Sequence, residues 1–170
     1  LHSIRRRQRQ MCIRDSVLND DTIAAGMGFG EHPHENMEII TIPFAGQIEH
    51  KDSMGHGEVL AAGEVQIMSA GTGIRHSEFN PDQHQSTELF QIWIFPRQKG
   101  NTPDYGQKNF SKQQRKDIWQ VLVAPDGNNN SASSGPLKIQ QDAWLARIDL
   151  TADQQTTYSL HTNTMVFTLW

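Results

Sequence analysis

Cysteine is almost absent from this chain of 170 residues, because the one thiol is Cys12. From residue 17 onward there is no disulfide and no thiolate metal site, which fits a reducing cytoplasm. No apolar run approaches the roughly 18 residues that a membrane-spanning helix requires, so we expect no membrane partner. The chain also lacks a large excess of charge of either sign, since the net charge is −4. This balance is typical of a soluble globular protein, and we expect no binding to nucleic acid.

The first 16 residues differ in composition from the rest. They carry five arginines and one aspartate, a net charge of about +4, so the remainder of the chain is near −8. They show neither the apolar centre of a signal peptide nor the alternation of a strand. A nucleic-acid arm or a transit-like segment would be alternatives for such a basic run, but the letters MCIRDS resemble translated adapter sequence at the ends of gene models. We therefore interpret 1–16 as a non-native or disordered tail.

Short apolar runs broken by glycine or asparagine follow this tail. Helical periodicity never persists among them, and glycine-containing turns recur at the spacing of a β-sandwich or barrel. The sequence therefore predicts a small all-β domain over 17–96. Residues 97–118 are polar and predict a surface connection with one short helical turn, and strands resume in a second domain over 119–170. Its last apolar run, 165–170, has no closing hairpin and would leave an open edge.

Two short motifs within the first predicted domain carry side chains that bind metals. One is His32-Pro33-His34, and the other is His76-Ser77-Glu78. Alternate side chains of a strand share a face, so His32 and His34 point one way, as do His76 and Glu78. Three imidazoles and a carboxylate suit a divalent first-row metal, namely iron, manganese, cobalt, nickel, copper or zinc. A lone histidine is usually a surface or hydrogen-bonded residue, so the metal prediction depends on the coincidence of two pairs.

The segments 28–38 and 70–78, which contain these motifs, and the segment 46–53 between them closely resemble the pirin family. The resemblance extends over 17–170 and is strongest to bacterial members described as quercetin 2,3-dioxygenases. It implies a cupin fold, the double-stranded β-helix or jelly-roll barrel, as a bicupin whose second barrel is incomplete here. Members of the family begin before Val17 and continue beyond Trp170, so we expect that both ends are truncated.

The resemblance also implies a site and a reaction. Metal is expected in the N-terminal barrel only, with the ligands carried over onto His32, His34, His76 and Glu78. We expect iron(II), with manganese, cobalt, nickel, copper or zinc as alternatives. The expected substrates are a flavonol-like aromatic compound and dioxygen. The flavonol would bind through its deprotonated 3-hydroxyl, and its heterocycle would open with release of carbon monoxide, while Glu78 would act as the catalytic proton acceptor.

The residues and the fold are also compatible with functions other than a flavonol dioxygenase. The same ligands could serve a non-enzymatic, metal-dependent redox sensor that binds a protein partner, and the fold would also suit an isomerase or another oxygenase. We expect a monomer in the cytoplasm. His50, Glu38 and Ser77 lie near the metal motifs in sequence and are candidates for contacts with the ligands, although sequence does not identify their partners.

Overall fold

The computed structural model describes residues 4–10 and 16–159. Within them, all regular elements are β-strands apart from one 3₁₀ turn, η1 (Lys112–Arg115), which confirms the predicted all-β class. In chain order the strands are β1 (Ile4–Gln10), β2 (Ser16–Ile23), β3 (Gly28–His34), β4 (Glu38–Ala45), β5 (Gln47–Asp52), β6 (Gly57–Ala61), β7 (Glu64–Ser69), β8 (Ile74–Phe79), β9 (Thr87–Ile94), β10 (Asp104–Asn109), β11 (Gln120–Ala124), β12 (Leu137–Lys138) and β13 (Leu145–Arg147). No helix in the described part of the chain is long and apolar enough to cross a membrane.

The described strands form three sheets. A six-stranded sheet has the order β1-β2-β9-β4-β7-β10, a four-stranded sheet has the order β3-β8-β5-β6, and a three-stranded sheet has the order β12-β11-β13. Strand β8 therefore lies between β3 and β5, and all three run antiparallel to their neighbours. This order brings both metal-binding motifs onto adjacent strands.

The six-stranded sheet is covered on both faces. On one side a buried cluster joins it to the four-stranded sheet, through Ile23 and Leu89 of the larger sheet and Ile48 and Leu60 of the smaller one. On the other side a second cluster joins it to the three-stranded sheet. Each such buried aliphatic side chain contributes about 1.5–3 kcal/mol through removal from water.

Strand β4 shows the effect of this double cover on sequence. Its residues from 38 to 43 are all buried, so the strand has no polar face and no alternation. Ile40 and Ile42 pack into the cluster shared with the three-stranded sheet, whereas Ile39 packs with Met68 and Ile74 on the opposite side. A strand buried on both faces reads as a continuous apolar run, which is why the sequence alone predicts a strand in this segment.

The beginning of the chain differs from the expectation of a disordered tail. Residues Ile4–Gln10 form β1 and pair along their whole length with β2, from Ile4 opposite Ile23 to Gln10 opposite Val17. Ile4 also packs against the cluster that contains Ile23. Pairing along the edge of β2 satisfies backbone groups whatever the side chains are, so it needs no apolar alternation. Residues 1–3 and 11–15, with Cys12, lie outside the described residues.

The predicted connection 97–118 contains a strand that the sequence did not indicate. Strand β10 pairs with β7 at the edge of the six-stranded sheet. The polar composition of β10 gives no apolar alternation, because one of its buried positions is Lys108. The ammonium group of Lys108 donates to the carbonyl of Asn128 and the hydroxyl of Ser133. The expected helical turn is present as η1. The terminal run 165–170 lies outside the described residues.

Candidate metal centre

Three of the predicted ligand side chains meet where β3 pairs with β8. His32 lies directly opposite His76 in the register of the two strands, and a bulge between Phe29 and His32 sets that register. The ring centroids are 4.4 Å apart for His32 and His76, 4.8 Å for His32 and His34, and 4.9 Å for His34 and His76. Strand alternation explains the convergence, since Pro33 and Arg75 at the intervening positions are exposed.

The nitrogen atoms of these rings are suited to a metal. Nε2 of His34 and Nε2 of His76 are buried and have no hydrogen-bond partner among the described residues. An orphaned buried polar atom costs about 1–3 kcal/mol. In His32, Nδ1 lies 2.8 Å from the carbonyl oxygen of Gly30 and donates its proton there, so Nε2 carries a free lone pair. The three rings therefore present nitrogen lone pairs that a metal ion can accept, and for His34 and His76 no described residue takes the place of that metal ion.

The charge state of the rings agrees with this geometry. Burial, followed by the neighbouring His32, lowers the pKa of His34 to about 4. Burial, followed by repulsion from His32, His50 and His34, lowers the pKa of His76 to about 3. Both rings are therefore neutral at pH 7, as ligation of a cation requires.

Glu78 lies on the same face of β8 as His76 and is buried. Its carboxylate oxygens accept hydrogen bonds from Nε2 of Gln91 at 3.1 and 2.9 Å. Metal-binding atoms of Glu78, His50 and His76 lie within 4.8 Å of one another, as do those of His32, His34 and His76. Glu78 thus adjoins the three-histidine group through His76, the residue that both groups share.

Gln91 and Trp93 belong to the site, although the sequence did not single them out. Both lie on β9 of the opposite sheet, where Gln91 is buried within an apolar strand. The indole N–H of Trp93 donates to Oε1 of Gln91 at 2.9 Å. Because an indole can only donate, it turns the NH₂ group of Gln91 towards Glu78. The Trp93 ring also meets His34 edge-on, at a centroid distance of 5.0 Å.

A line of polar side chains extends from His76 along β5. Nδ1 of His76 lies 3.5 Å from Nδ1 of His50, and Nε2 of His50 lies 3.1 Å from Oδ2 of Asp52. His56, whose side chain is 36% exposed, also donates to Asp52. Burial acts to raise the pKa of Asp52, but the hydrogen bonds from His50, His56 and the backbone outweigh it and hold that pKa below its ordinary value.

The two other candidates near the motifs lie away from the histidines. Glu38 is buried on the opposite face of the six-stranded sheet, where Oε2 accepts from the Ser69 hydroxyl at 2.7 Å and from the Gln140 amide at 3.0 Å. Burial is the largest influence there and raises the pKa of Glu38 in spite of those hydrogen bonds. Ser77 lies between the inward-facing residues of β8 and pairs in register with Lys51. Of the three candidates, His50 contacts a predicted ligand.

A surface groove of about 390 Å³ borders the three-histidine group at His34. His34 is the one histidine of the group in its lining, which also contains Pro33 and Arg75 from the outward face of β3 and β8. The volume lies within the range of about 300–1,000 Å³ that is usual for small-molecule sites. The groove is lined by Pro33, His34, Glu35, Ser53, Gly73, Ile74 and Arg75.

Family models match both parts of the chain. The model of the Pirin family matches residues 6–94, which is more than half of the chain and includes part of β1. A model described as the quercetinase C-terminal cupin domain matches residues 121–169. Two cupin units in succession agree with the predicted bicupin organisation.

Curated relatives and solved structures give the same picture. The chain is 49% identical over 144 residues to a quercetin 2,3-dioxygenase of Escherichia coli K12, and 46% identical over 144 residues to a putative quercetin 2,3-dioxygenase of Pseudomonas aeruginosa. These alignments cover 85% of this chain and 59% and 60% of the relatives, so the chain spans less than two thirds of their length.

Among solved structures, YhhW from Escherichia coli superposes with a TM-score of 0.77 at 47% identity, covering 86% of this chain and 59% of that one. Bacterial pirin YhhW in complex with nickel(II), also from Escherichia coli, superposes with a TM-score of 0.79 at 41% identity, covering 92% of this chain and 69% of that one. The fold, the two family models and these relatives agree, and the chain belongs to the pirin family of cupin proteins.

Proposed function

We propose that His32, His34, His76 and Glu78 together hold a divalent first-row metal ion. The observation that carries this proposal is the pair of buried Nε2 atoms of His34 and His76, which have no hydrogen-bond partner in the described part of the chain and lie on rings 4.9 Å apart. The donor set of three neutral imidazoles and one carboxylate fits iron(II), our first choice, and the neighbouring divalent metals. The nickel(II) in a structural relative supports a divalent ion of this row.

We propose further that the metal-loaded protein is a dioxygenase that opens the heterocycle of flavonols such as quercetin. The names of the relatives at 49% and 46% identity support this reaction. In this proposal residues 17–96 form the metal-binding domain, residues 97–118 form the connection, and residues 119–170 begin the C-terminal cupin domain. The protein is proposed to be a monomer in the cytoplasm and to have no nucleic-acid partner.

The side chains around the metal position have distinct tasks. A bound divalent metal would supply Lewis acidity that lowers the pKa of a coordinating hydroxyl group. Glu78 would accept the 3-hydroxyl proton of the flavonol on a carboxylate oxygen. Gln91 would hold that carboxylate in place through its two contacts, and Trp93 would hold Gln91 in the correct orientation. The hydrophobic wall provided by Trp93 would limit access of water.

The test compares metal content with oxygen consumption. Glu78→Gln keeps a neutral oxygen ligand but loses the basicity, so turnover of quercetin should fall by about 10²–10⁴-fold while metal occupancy falls much less. His32→Ala should lose metal and activity together. Elemental analysis of the purified protein identifies the bound metal, and an oxygen electrode records turnover. The quercetin 2,3-dioxygenase of Escherichia coli serves as the positive control for the assay.

One outcome would favour a different function. Full metal loading without oxygen uptake, across several flavonols, would contradict the dioxygenase proposal and leave a metal-dependent sensor that acts through a protein partner. Light scattering of the metal-loaded protein measures its molar mass and so tests whether it is a monomer. Absence of metal from protein purified with added iron(II), nickel(II) or zinc(II) would contradict the metal centre itself.

A further inference from the structure

Asp52 and His50 form a hydrogen-bonded line that ends on His76. Oδ2 of Asp52 lies 3.1 Å from Nε2 of His50, and Nδ1 of His50 lies 3.5 Å from Nδ1 of His76. The side chain of His50 is 1% exposed and that of Asp52 is 0% exposed. Water therefore does not compete for these contacts.

The direction of each hydrogen bond follows from the chemistry of Asp52. An ionised carboxylate only accepts hydrogen bonds, so Nε2 of His50 carries a proton and donates it to Oδ2. A neutral imidazole with a protonated Nε2 has its lone pair on Nδ1. This lone pair faces Nδ1 of His76, which must then carry the proton of that ring. The lone pair of His76 is thereby placed on Nε2, the buried atom that has no partner among the described residues.

We propose that Asp52 and His50 are positioning residues that select the Nδ1–H tautomer of His76 and so present its Nε2 to the metal. This inference rests on the proposed function, because it assumes that His76 is a ligand. Histidine ligands commonly donate their second N–H to a carboxylate or a carbonyl, which fixes the tautomer. Here the carboxylate acts one step further away, through a second histidine.

Asp52→Asn tests the line with almost no change in shape. Oδ1 of Asp52 accepts the backbone N–H groups of Met54 at 2.9 Å and His56 at 3.1 Å, and the asparagine oxygen can keep both. The NH₂ group then occupies the position of Oδ2 and donates to Nε2 of His50. His50 must move its proton to Nδ1, and that proton opposes the Nδ1 proton of His76. His76 is driven to the Nε2–H tautomer, which cannot bind a metal through Nε2.

Two measurements follow this change. Long-range ¹H–¹⁵N spectra of the metal-free protein should show His76 protonated at Nδ1 in the wild type and at Nε2 in Asp52→Asn. Zinc(II) affinity, measured by competition with a chelator, should fall about 10–100-fold in the variant. Asp82→Asn is the matched control, because Oδ1 of Asp82 also accepts two backbone N–H groups, those of His84 at 2.7 Å and Gln85 at 3.0 Å. It should leave both readouts at the wild-type values.

Variants of His50 show whether Asp52 acts through this ring. His50→Gln retains an oxygen acceptor for the Nδ1 proton of His76 and should bind zinc(II) within about threefold of wild type, whereas His50→Leu should lose about 10–100-fold. In the His50→Leu background, where no polar side chain connects position 52 to His76, Asp52→Asn should have no further effect on zinc(II) affinity, as a double-mutant cycle would show. An equal loss in His50→Gln and His50→Leu would overturn the inference, and this comparison decides the matter if Asp52→Asn does not fold.

Failure of the inference is distinguishable from failure of the metal centre. If the wild type binds zinc(II) and His32→Ala does not, the metal centre stands. An unchanged His76 tautomer and unchanged affinity in Asp52→Asn would then overturn the positioning role alone. If the wild type itself binds no zinc(II), both proposals fail.

Discussion

At the scale of single residues, the orientation of Glu78 depends on Gln91. Replacing Gln91 by leucine removes the NH₂ donor at 2.9 and 3.1 Å from the carboxylate and leaves the indole N–H of Trp93 without its acceptor. We expect Gln91→Leu to lower quercetin turnover about tenfold, which corresponds to one oriented hydrogen bond of about 1.4 kcal/mol. Metal affinity should change less, because the three histidines are untouched. Steady-state kinetics and metal competition on the same sample measure the two effects.

A second variant isolates the orienting contact. Trp93→Phe keeps an aromatic ring against His34 but removes the N–H that fixes the amide of Gln91. Turnover should fall by a smaller factor than in Gln91→Leu. A loss in Trp93→Phe as large as that in Gln91→Leu, or no loss in either variant, would contradict this role for the Gln91 amide.

The histidine pairs could be predicted from sequence because strand alternation is a local property. His32 and His34 face one way whatever the partner strand is, and so do His76 and Glu78. Gln91 could not be predicted, because it acts on a side chain of another strand. Asp52 shares a face of β5 with His50, but the contact of His50 with His76 of β8, through which Asp52 acts, could not be predicted either. Only the register of β5 with β8 and the stacking of the two sheets bring them to their partners.

At the scale of elements, the close approach of β3 to β8 requires glycine at position 28. A Cβ atom there would overlap the carbonyl oxygen of Glu78 and lie 2.5 Å from Cα of Phe79. Gly28→Ala should therefore push β3 away from β8 and destabilise the protein by about 1–3 kcal/mol. It should also weaken zinc(II) binding, since His32 and His76 lie on these two strands. Thermal unfolding and chelator competition measure the two effects.

Gly30 is the control on the same strand. A Cβ at this position would meet nothing within 4 Å, and the residue is exposed. Gly30→Ala should leave unfolding and zinc(II) affinity close to wild type. If Gly30→Ala proves as damaging as Gly28→Ala, the cause is the flexibility of the strand and not its close approach.

The sequence did not predict two of the strands, for the same reason in each case, and both are edge strands. β1 is dominated by arginines and β10 by polar residues, so neither shows apolar alternation. Each gains its position from backbone pairing with an inner neighbour, β2 or β7. Buried strands such as β4, β7 and β9 read clearly from sequence, because packing decides their side chains.

At the scale of the whole molecule, Glu38 links the six-stranded sheet to the segment that follows β12. Its pKa is raised by burial above the ordinary value of 4.5. A carboxyl group with a raised pKa in the folded state favours folding below its unfolded pKa, and this contribution is lost as pH rises through the folded pKa. The free energy of unfolding of the wild type should therefore decline with rising pH above about 4.5 more steeply than that of Glu38→Gln.

The measurement is urea unfolding of metal-free protein at a series of pH values. Glutamine can still accept the hydrogen bonds from Ser69 and Gln140 but does not ionise. Glu88→Gln, at an exposed position of β9, serves as the control and should follow the wild-type curve. Identical pH dependence in wild type and Glu38→Gln would show that Glu38 does not contribute to it.

Strand β4 is enclosed on four sides, with β7 and β9 at its edges and a packed layer on each face. Its amide protons can meet solvent deuterium only when both layers separate, so β4 should exchange more slowly than the edge strand β10. Such an opening also separates the buried residues between the six-stranded and three-stranded sheets, among them Leu122 of β11. A metal ion that binds only the folded state would suppress the same event. Loading the histidines should therefore slow deuterium uptake in β11, whose residues do not take part in the proposed metal site.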